Sequence, residues 1–377
     1  MAQFKIKNGV AIIPDGTTEI ECSAFFECTS LENITIPESV TEIGDLAFYG
    51  CTSLKSLTIP ESVTEIGGSA FNDCTSLESI VIPKGVKEIK GCAFNGCTSL
   101  KSVTIPESVT EIGYCAFDGC TSLESITIPE SVTNIGDNVF RDCTSLESIV
   151  VADGNPVYDS REGCNAIIKT TTNTLIQGCK TTVIPESVTE IGAEAFYGCT
   201  SLKSIIIPDS VTEIGYWTFN GCTSLKSIII PESVTKIGSS AFRGCTSLEN
   251  ITIPESVTKI GAEAFYGCTS LKSITIPESV TNIEYRAFSD CTSLESVVIP
   301  KGVRKIEECA FAGCTSLTTL TLPIGVNKIE EGVFYNCRAL ATIYVPAKKT
   351  DYYKQRLPEE LHDKIVELEP KKAQQKK

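Results

Sequence analysis

Cysteine, histidine and carboxylate side chains are where chemistry would sit in this sequence, and their spacing decides what chemistry is open to them. There are 19 cysteines and a single histidine, His362. A nucleophilic Cys–His or Ser–His–Asp arrangement needs an imidazole beside the nucleophile, and His362 stands among charged residues close to the carboxyl end. Thirteen cysteines, from Cys28 through Cys337, share one place in a repeating pattern. Cys92, Cys115 and Cys309 each lie five residues before one of these, which is not zinc-ligand spacing, and no C-x-x-C occurs. Two readings are open: a disulfide or metal ladder, or buried thiols acting as small hydrophobes, which also fits a reducing compartment. The second is preferred, because the shared place is an apolar one. Acidic residues recur at equivalent positions and read as solubilising ladders. The sequence is therefore expected to hold no catalytic residue, no metal and no cofactor.

The elements that position these residues follow from a repeat. Prolines recur at 14, 37, 60, 83, 106 and 129, then at 185, 208, 231, 254, 277, 300, 323 and 346, with an interval of 23 residues broken once. One rung, from Pro254, reads PESVTKIGAEAFYGCTSLKSITI. Counted from the proline, its apolar sites are positions 4, 7, 11, 12, 15, 18, 21 and 23: Val257, Ile260, Ala264, Phe265, Cys268, Leu271, Ile274 and Ile276. The Ile-Thr-Ile ending alternates and is β-branched, so it predicts a short strand closed by the next proline. The adjacent apolar pair and later cysteine predict one short helical turn. Glycine at position 8 in most rungs, such as Gly261, predicts a turn with positive φ. One rung cannot bury its own apolar face, but stacked rungs can. At a strand spacing of about 4.8 Å, fourteen or so rungs give a rod or arc roughly 70 Å long. The expected fold is an α/β repeat solenoid: an arc of 23-residue rungs, with parallel β-sheet on one face and short helical turns on the other.

The pattern LxxIxIPxxVxxIGxxAFxxC, as in Leu225 through Cys245 and Leu248 through Cys268, resembles the BspA-like (treponemal-type) class of leucine-rich repeats. The resemblance covers thirteen rungs, roughly nine-tenths of the chain. It implies a cell-surface or secreted protein that adheres to host proteins or other cells. Met1 to Asn8 has no apolar leader-type segment, which points instead to the cytoplasm if the native chain starts at Met1. A formal charge of −15 disfavours nucleic acid and anionic membrane surfaces as partners. No apolar run is long enough to span a bilayer, so no membrane insertion is expected. The expected function is non-catalytic recognition of a protein partner by a monomer; the alternative is a cytoplasmic scaffold or structural rod without a dedicated partner.

Six organisational segments are expected: an amino-terminal cap over 1–13, six repeats over 14–151, an irregular island over 152–184, seven repeats over 185–345, a cap with a helix over 346–369, and a disordered basic tail over 370–377. The island carries the turn signal Asp153-Gly154-Asn155-Pro156, and Asn165–Ile168 and Thr174–Ile176 read as a hairpin. In the closing cap, Leu357, Leu361, Ile365 and Leu368 fall on one face of a helix from about Pro358 to Leu368.

Positions 20 and 22 face outward from the sheet, and most rungs place Ser and Thr there. Val150, Ile206 and Ile229 depart from this at position 22 on either side of the island, as do Val81 and Val298 elsewhere. With Tyr158, Asp159 and Arg161 of the island, Val150, Ile206 and Ile229 form the expected partner-binding set: a desolvated centre with a polar rim. The competing account is that β-branched residues improve cross-strand pairing. Tyr216 and Trp217, on the opposite face, are the alternative anchor. Alternating Glu and Lys at position 19, such as Glu249 and Lys272, are expected to pair and fix register.

Overall fold

In a computed structural model, which describes residues 4–369, the repeats wind as a β-solenoid of leucine-rich repeats. The chain forms two compact units, one up to Pro185 with Glu194–Ser201, the other Glu186–Ala193 with everything from Leu202. Residues 370–377, where the basic tail is expected, lie outside the described residues.

Each regular rung contributes two short strands that pair in parallel, in register, with their counterparts 23 residues on. In the second unit Ser227–Ile229 pairs with Asn250–Thr252, and that strand with Ser273–Thr275. Lys236–Ile237 pairs with Lys259–Ile260. In the first, Glu19–Ile20, Glu42–Ile43 and Glu65–Ile66 form one ladder. An N-terminal hairpin, Ile6–Lys7 against Val10–Ile12, adds the first outward strand beside Asn33–Thr35.

The apolar positions point inward as their periodicity requires. In the Pro254 rung Val257, Ala264, Phe265, Cys268 and Leu271 are fully buried, and Ile260, Ile274 and Ile276 nearly so. Phenylalanines stack ring on ring: Phe4, Phe25, Phe48, Phe71, Phe94, Phe117 and Phe140 in the first unit, with centroids 5.1 to 5.7 Å apart. Phe219 through Phe334 continue likewise in the second, 5.3 to 6.1 Å apart. Offset stacking at such distances adds to the area each ring buries.

The segment of each rung that carries the apolar pair and the cysteine is not helical. Its backbone alternates between two kinds of hydrogen bond. Ser240, Phe242 and Gly244 donate to carbonyls of the next rung (Ala262, Ala264 and Tyr266, each 2.8 Å away). Ala241, Arg243 and Cys245, between them, donate three residues back within their own rung. Left-handed backbone at positions 10 and 14, Ser240 with φ 55° and Gly244 with φ 70°, accompanies this alternation. A helix would direct every N–H along its own axis and leave the rungs unstitched. The apolar pair followed by cysteine imitates helical spacing, but the pattern belongs to a turn.

The position-8 glycines have ordinary φ, contrary to expectation, and serve close approach instead. A Cβ on Gly261 would lie 2.5 Å from the backbone nitrogen of Ser239, and one on Gly136 2.6 Å from that of Tyr114.

The C-terminal cap also departs from expectation. A five-residue α-helix, Thr350–Lys354, precedes a 3-10 segment, Glu359–Lys364, and Ile365–Glu367 is a strand pairing with Ile343–Val345. The terminal sheet edge has unpaired backbone groups, and a strand satisfies them where a helix could not.

Candidate interaction face

Most of the repeated polar side chains are engaged by the fold itself. The position-15 thiols are hydrogen-bond donors inside the core: Cys268 Sγ lies 3.1 Å from the Phe242 carbonyl, and Cys51, Cys74, Cys97 and Cys120 make the same bond one rung earlier in each case. All 19 cysteines are free thiols. Burial pushes the Cys120 and Cys199 thiols up to about 12. Repeated hydroxyls do similar work: Ser256 Oγ donates to the Val234 carbonyl at 2.7 Å, and Thr269 Oγ1 to that of Thr246 at 3.4 Å. Glu255 and Glu278 accept backbone N–H groups of the following rung, at 3.1 and 2.9 Å. His362 Nε2 sits 3.0 Å from the Leu357 carbonyl.

What remains outward on the strands that close each rung is small hydroxyls interrupted by aliphatic side chains. In the second unit Ile206 and Ile229 are direct cross-strand partners, 75% and 73% exposed. Thr252 follows Ile229 in register, and Val298 stands exposed opposite Thr321. In the first unit Val150 pairs with Thr127 and is about half-exposed, Val81 pairs with Thr104, and Ile12 pairs with Thr35. Ile12 and Val183 are as exposed as Ile229 and escaped sequence reasoning. The outward position 22 would have found Ile12, had the first strand been aligned to the repeat.

The island is built differently from its expected role as a polar rim. Tyr158 is turned into the core; its hydroxyl accepts the Ile135 N–H at 3.2 Å, and burial raises its pKa. It cannot meet a partner, and that assignment is corrected. Asn155 is the reason: its Oδ1 accepts the N–H of Val157 and Tyr158, while Nδ2 donates to the carbonyls of Pro129 and Val132 at 2.9 Å, clamping the turn against the preceding rung. Asp159 and Arg161 are partly exposed but bonded to each other in a two-point pair, Nε–Oδ1 2.8 Å and Nη2–Oδ2 2.6 Å. The Asp159 carboxylate holds the guanidinium above its ordinary pKa, and Asn173 Oδ1 accepts a further N–H at 2.9 Å. The hairpin forms as Ala166–Lys169 against Thr174–Gly178.

On the turn face Tyr216 and Trp217 meet edge to face, centroids 6.0 Å apart, and both are substantially exposed. Trp217 takes the left-handed backbone of position 10, φ 55°. Tyr114 and Tyr335 are also exposed there. Of the position-19 pairs, Glu78–Lys101 and Glu249–Lys272 close to 3.7 Å. Among the described residues no group of three or more His, Cys, Asp or Glu could hold a metal ion, and no helix is long and apolar enough to cross a membrane.

A family model described as a BspA-type leucine-rich repeat region matches residues 4–91, 64–164, 167–295 and 235–357. Among solved structures, the chain is similar to a leucine-rich cell surface protein from Faecalibacterium prausnitzii, with 32% identity over 91% of this chain and 80% of that one and a TM-score of 0.58. A leucine-rich repeat protein from Bacteroides ovatus is 28% identical, covering 98% of both chains, with a TM-score of 0.54. The pneumococcal vaccine antigen PcpA shares the fold at 22% identity, over 90% of this chain and 84% of that one, with a TM-score of 0.56. None of the curated proteins matches in sequence. The chain belongs to the family of BspA-type leucine-rich repeat proteins.

Proposed function

We propose that this protein is a non-catalytic recognition module, adhesin-like, that binds a protein partner through the outward face of the eight-stranded parallel sheet of its second unit, which runs from Ser204–Ile206 to Ile365–Glu367. The observation that carries this reading is the pair Ile206 and Ile229, aligned side by side on consecutive rungs and about three-quarters exposed where most rungs place threonine. Contiguous exposed aliphatic groups cost free energy in water unless something covers them. Support for a surface role comes from the 32%-identical Faecalibacterium protein, which is described as a cell surface protein. Val150 belongs to the same outward row within its own unit, and the paired Asp159 and Arg161 present a neutralised polar patch beside the island turn.

Changing Ile206 and Ile229 together to threonine restores the consensus of neighbouring rungs, so folding is nearly unaffected. Binding of the purified chain to intact host cells or to a host surface protein then falls about tenfold or more, about 1.4 kcal/mol. If the double variant binds as the parent does while Tyr216→Ala with Trp217→Ala abolishes binding, the turn face is the recognition surface. That second reading rests on the exposed Tyr216–Trp217 edge-to-face pair, since such aromatics are favoured interface anchors. Should neither pair matter, a scaffold without a dedicated partner is the better description.

A further inference from the structure

Template position 10 lies on the turn face, outside the core, and its backbone N–H donates to the residue at position 9 of the next rung. Cys92 and Cys115 both occupy it, on consecutive rungs: Cys92 N–H donates to the Tyr114 carbonyl, and Cys115 N–H to that of Asp137, each at 2.9 Å. Both take the same left-handed conformation, φ 56° and 51°. Their side chains therefore leave the backbone alike, one rung apart, and both are partly exposed. The phenylalanines two residues further on in these same rungs stack at 5.4 Å, which gives the local rung spacing. At position 15 most cysteines of consecutive rungs are sealed in the core with the sulfur engaged by a carbonyl, and Cys309, the other position-10 cysteine, stands between Arg286 and Gly332.

We propose that Cys92 and Cys115 form a two-coordinate thiolate site for a soft monovalent metal ion, copper(I). Thiolates are soft ligands that hold copper(I), zinc and iron–sulfur clusters, and of these copper(I) is the one that accepts two ligands in a line, whereas zinc takes four. A metal–sulfur bond is about 2.3 Å, so two on opposite sides of one ion span about 4.6 Å, a separation that side chains leaning slightly together reach from rungs whose rings lie 5.4 Å apart. A disulfide fits less well, because it needs the Cβ atoms drawn to about 3.8 Å, and side chains leaving neighbouring parallel rungs in the same direction stay farther apart. Loading is a proton exchange with no redox change: one copper(I) ion replaces the hydrogens of two thiols, forms two copper–sulfur bonds and releases two protons to solvent. Asp118 opposes the negative charge this leaves near Cys115, and Arg141, bonded to Asp118 through two nitrogens, offsets it.

The test is anaerobic titration of the reduced full chain with copper(I) held by a chromophoric chelator such as bathocuproine disulfonate. One equivalent is taken up tightly, with affinity rising steeply with pH because two protons leave. Cys92→Ser and Cys115→Ser each weaken that equivalent at least a hundredfold, while Cys309→Ser leaves it unchanged. Alkylation mapping of the unmutated protein keeps the test independent of folding in the variants: copper(I) shields Cys92 and Cys115 together from iodoacetamide. Uptake that survives Cys92→Ser, protection falling on other cysteines, or a three-sulfur shell by X-ray absorption each overturns the assignment.

Discussion

Phe265, in a regular rung, and Gly178, in the island, make the same two kinds of backbone bond with opposite side chains. Phe265 donates its N–H to the Ala287 carbonyl at 2.9 Å, and its own carbonyl receives the Cys291 thiol at 3.2 Å. Gly178 donates to the Ala195 carbonyl at 2.7 Å, and its carbonyl lies 4.0 Å from the Cys199 sulfur. Yet Phe265 fills the core with a ring, whereas a Cβ on Gly178 would sit 2.2 Å from Cε1 of Phe196. The island is thus a surrogate rung in which the neighbouring ring occupies the space its own residue gives up. The comparison separates what a rung must supply, a ladder of backbone partners, from what can be exchanged, the volume that fills it.

The largest effect expected is collective and alkaline. A thiol whose folded pKa is raised contributes stability that is fully present below the unfolded value, near 9, and is lost as pH rises through the folded value. With Cys120 and Cys199 pushed up to about 12, stability falls between pH 9 and about 12, by about 1.4 kcal/mol per pH unit for each such thiol. Few thiols react with a disulfide reagent at pH 8 in the native state, and all 19 do on unfolding. A melting midpoint unchanged from pH 8 to pH 11 would show that these sulfurs are not protonated donors in the fold.

Next comes the ring itself. Phe265→Ala removes a fully buried side chain stacked on both sides, at a cost of about 3–5 kcal/mol. Since each rung touches only its neighbours, hydrogen exchange quickens around that rung first. Uniform acceleration throughout the unit would contradict a nearest-neighbour solenoid. Gly178→Ala tests the reverse, overpacking, and costs about 1–3 kcal/mol. Phe196→Leu in the same chain recovers part of it if the glycine is there to admit the ring; no recovery in the double-mutant cycle means the glycine serves another purpose.

These experiments also mark how far the sequence could be read. The eight inward positions were legible because burial repeats every 23 residues, and Val257, Phe265 and Leu271 answer to it directly. The backbone of the turn face was not. Left-handed conformations fall at position 10, where Trp217, Glu263 and Arg286 carry no signal of it, because inter-rung hydrogen bonds impose the geometry on whatever residue stands there. Position 14 did carry a signal in all rungs but that of Glu27: it is glycine or one of Asp73, Asp142, Asp290 and Asn336, residue types that tolerate positive φ. Position 8 misled because glycine answers two needs, free φ and a missing Cβ, and composition alone does not tell them apart. Of the expected interaction residues, Ile206 and Ile229 are outward as the alternation requires, whereas Tyr158 turned inward because the Asn155 clamp depends on long-range carbonyls.

The smallest effect compares ion pairs in the two regions. Lys272 and Glu249 approach only to 3.7 Å, with both side chains more than half exposed, so solvent screens them and each keeps its rotamer freedom. Lys180, at the end of the island, reaches Glu147 at 2.5 Å with its own side chain three-quarters covered. The adjacent Thr181 hydroxyl donates to the carbonyl of the same Glu147, so the chain is tied there twice. Lys272→Ala is expected to change stability by a few tenths of a kcal/mol at most, and Lys180→Ala by about 0.5–1 kcal/mol. Urea unfolding at low and high salt distinguishes them, because added salt erases the first difference and only reduces the second. If the two variants lose stability equally and with the same salt dependence, the Lys180 pair is an ordinary register contact like those of the regular rungs, and the island's return into the repeat is held by its backbone alone.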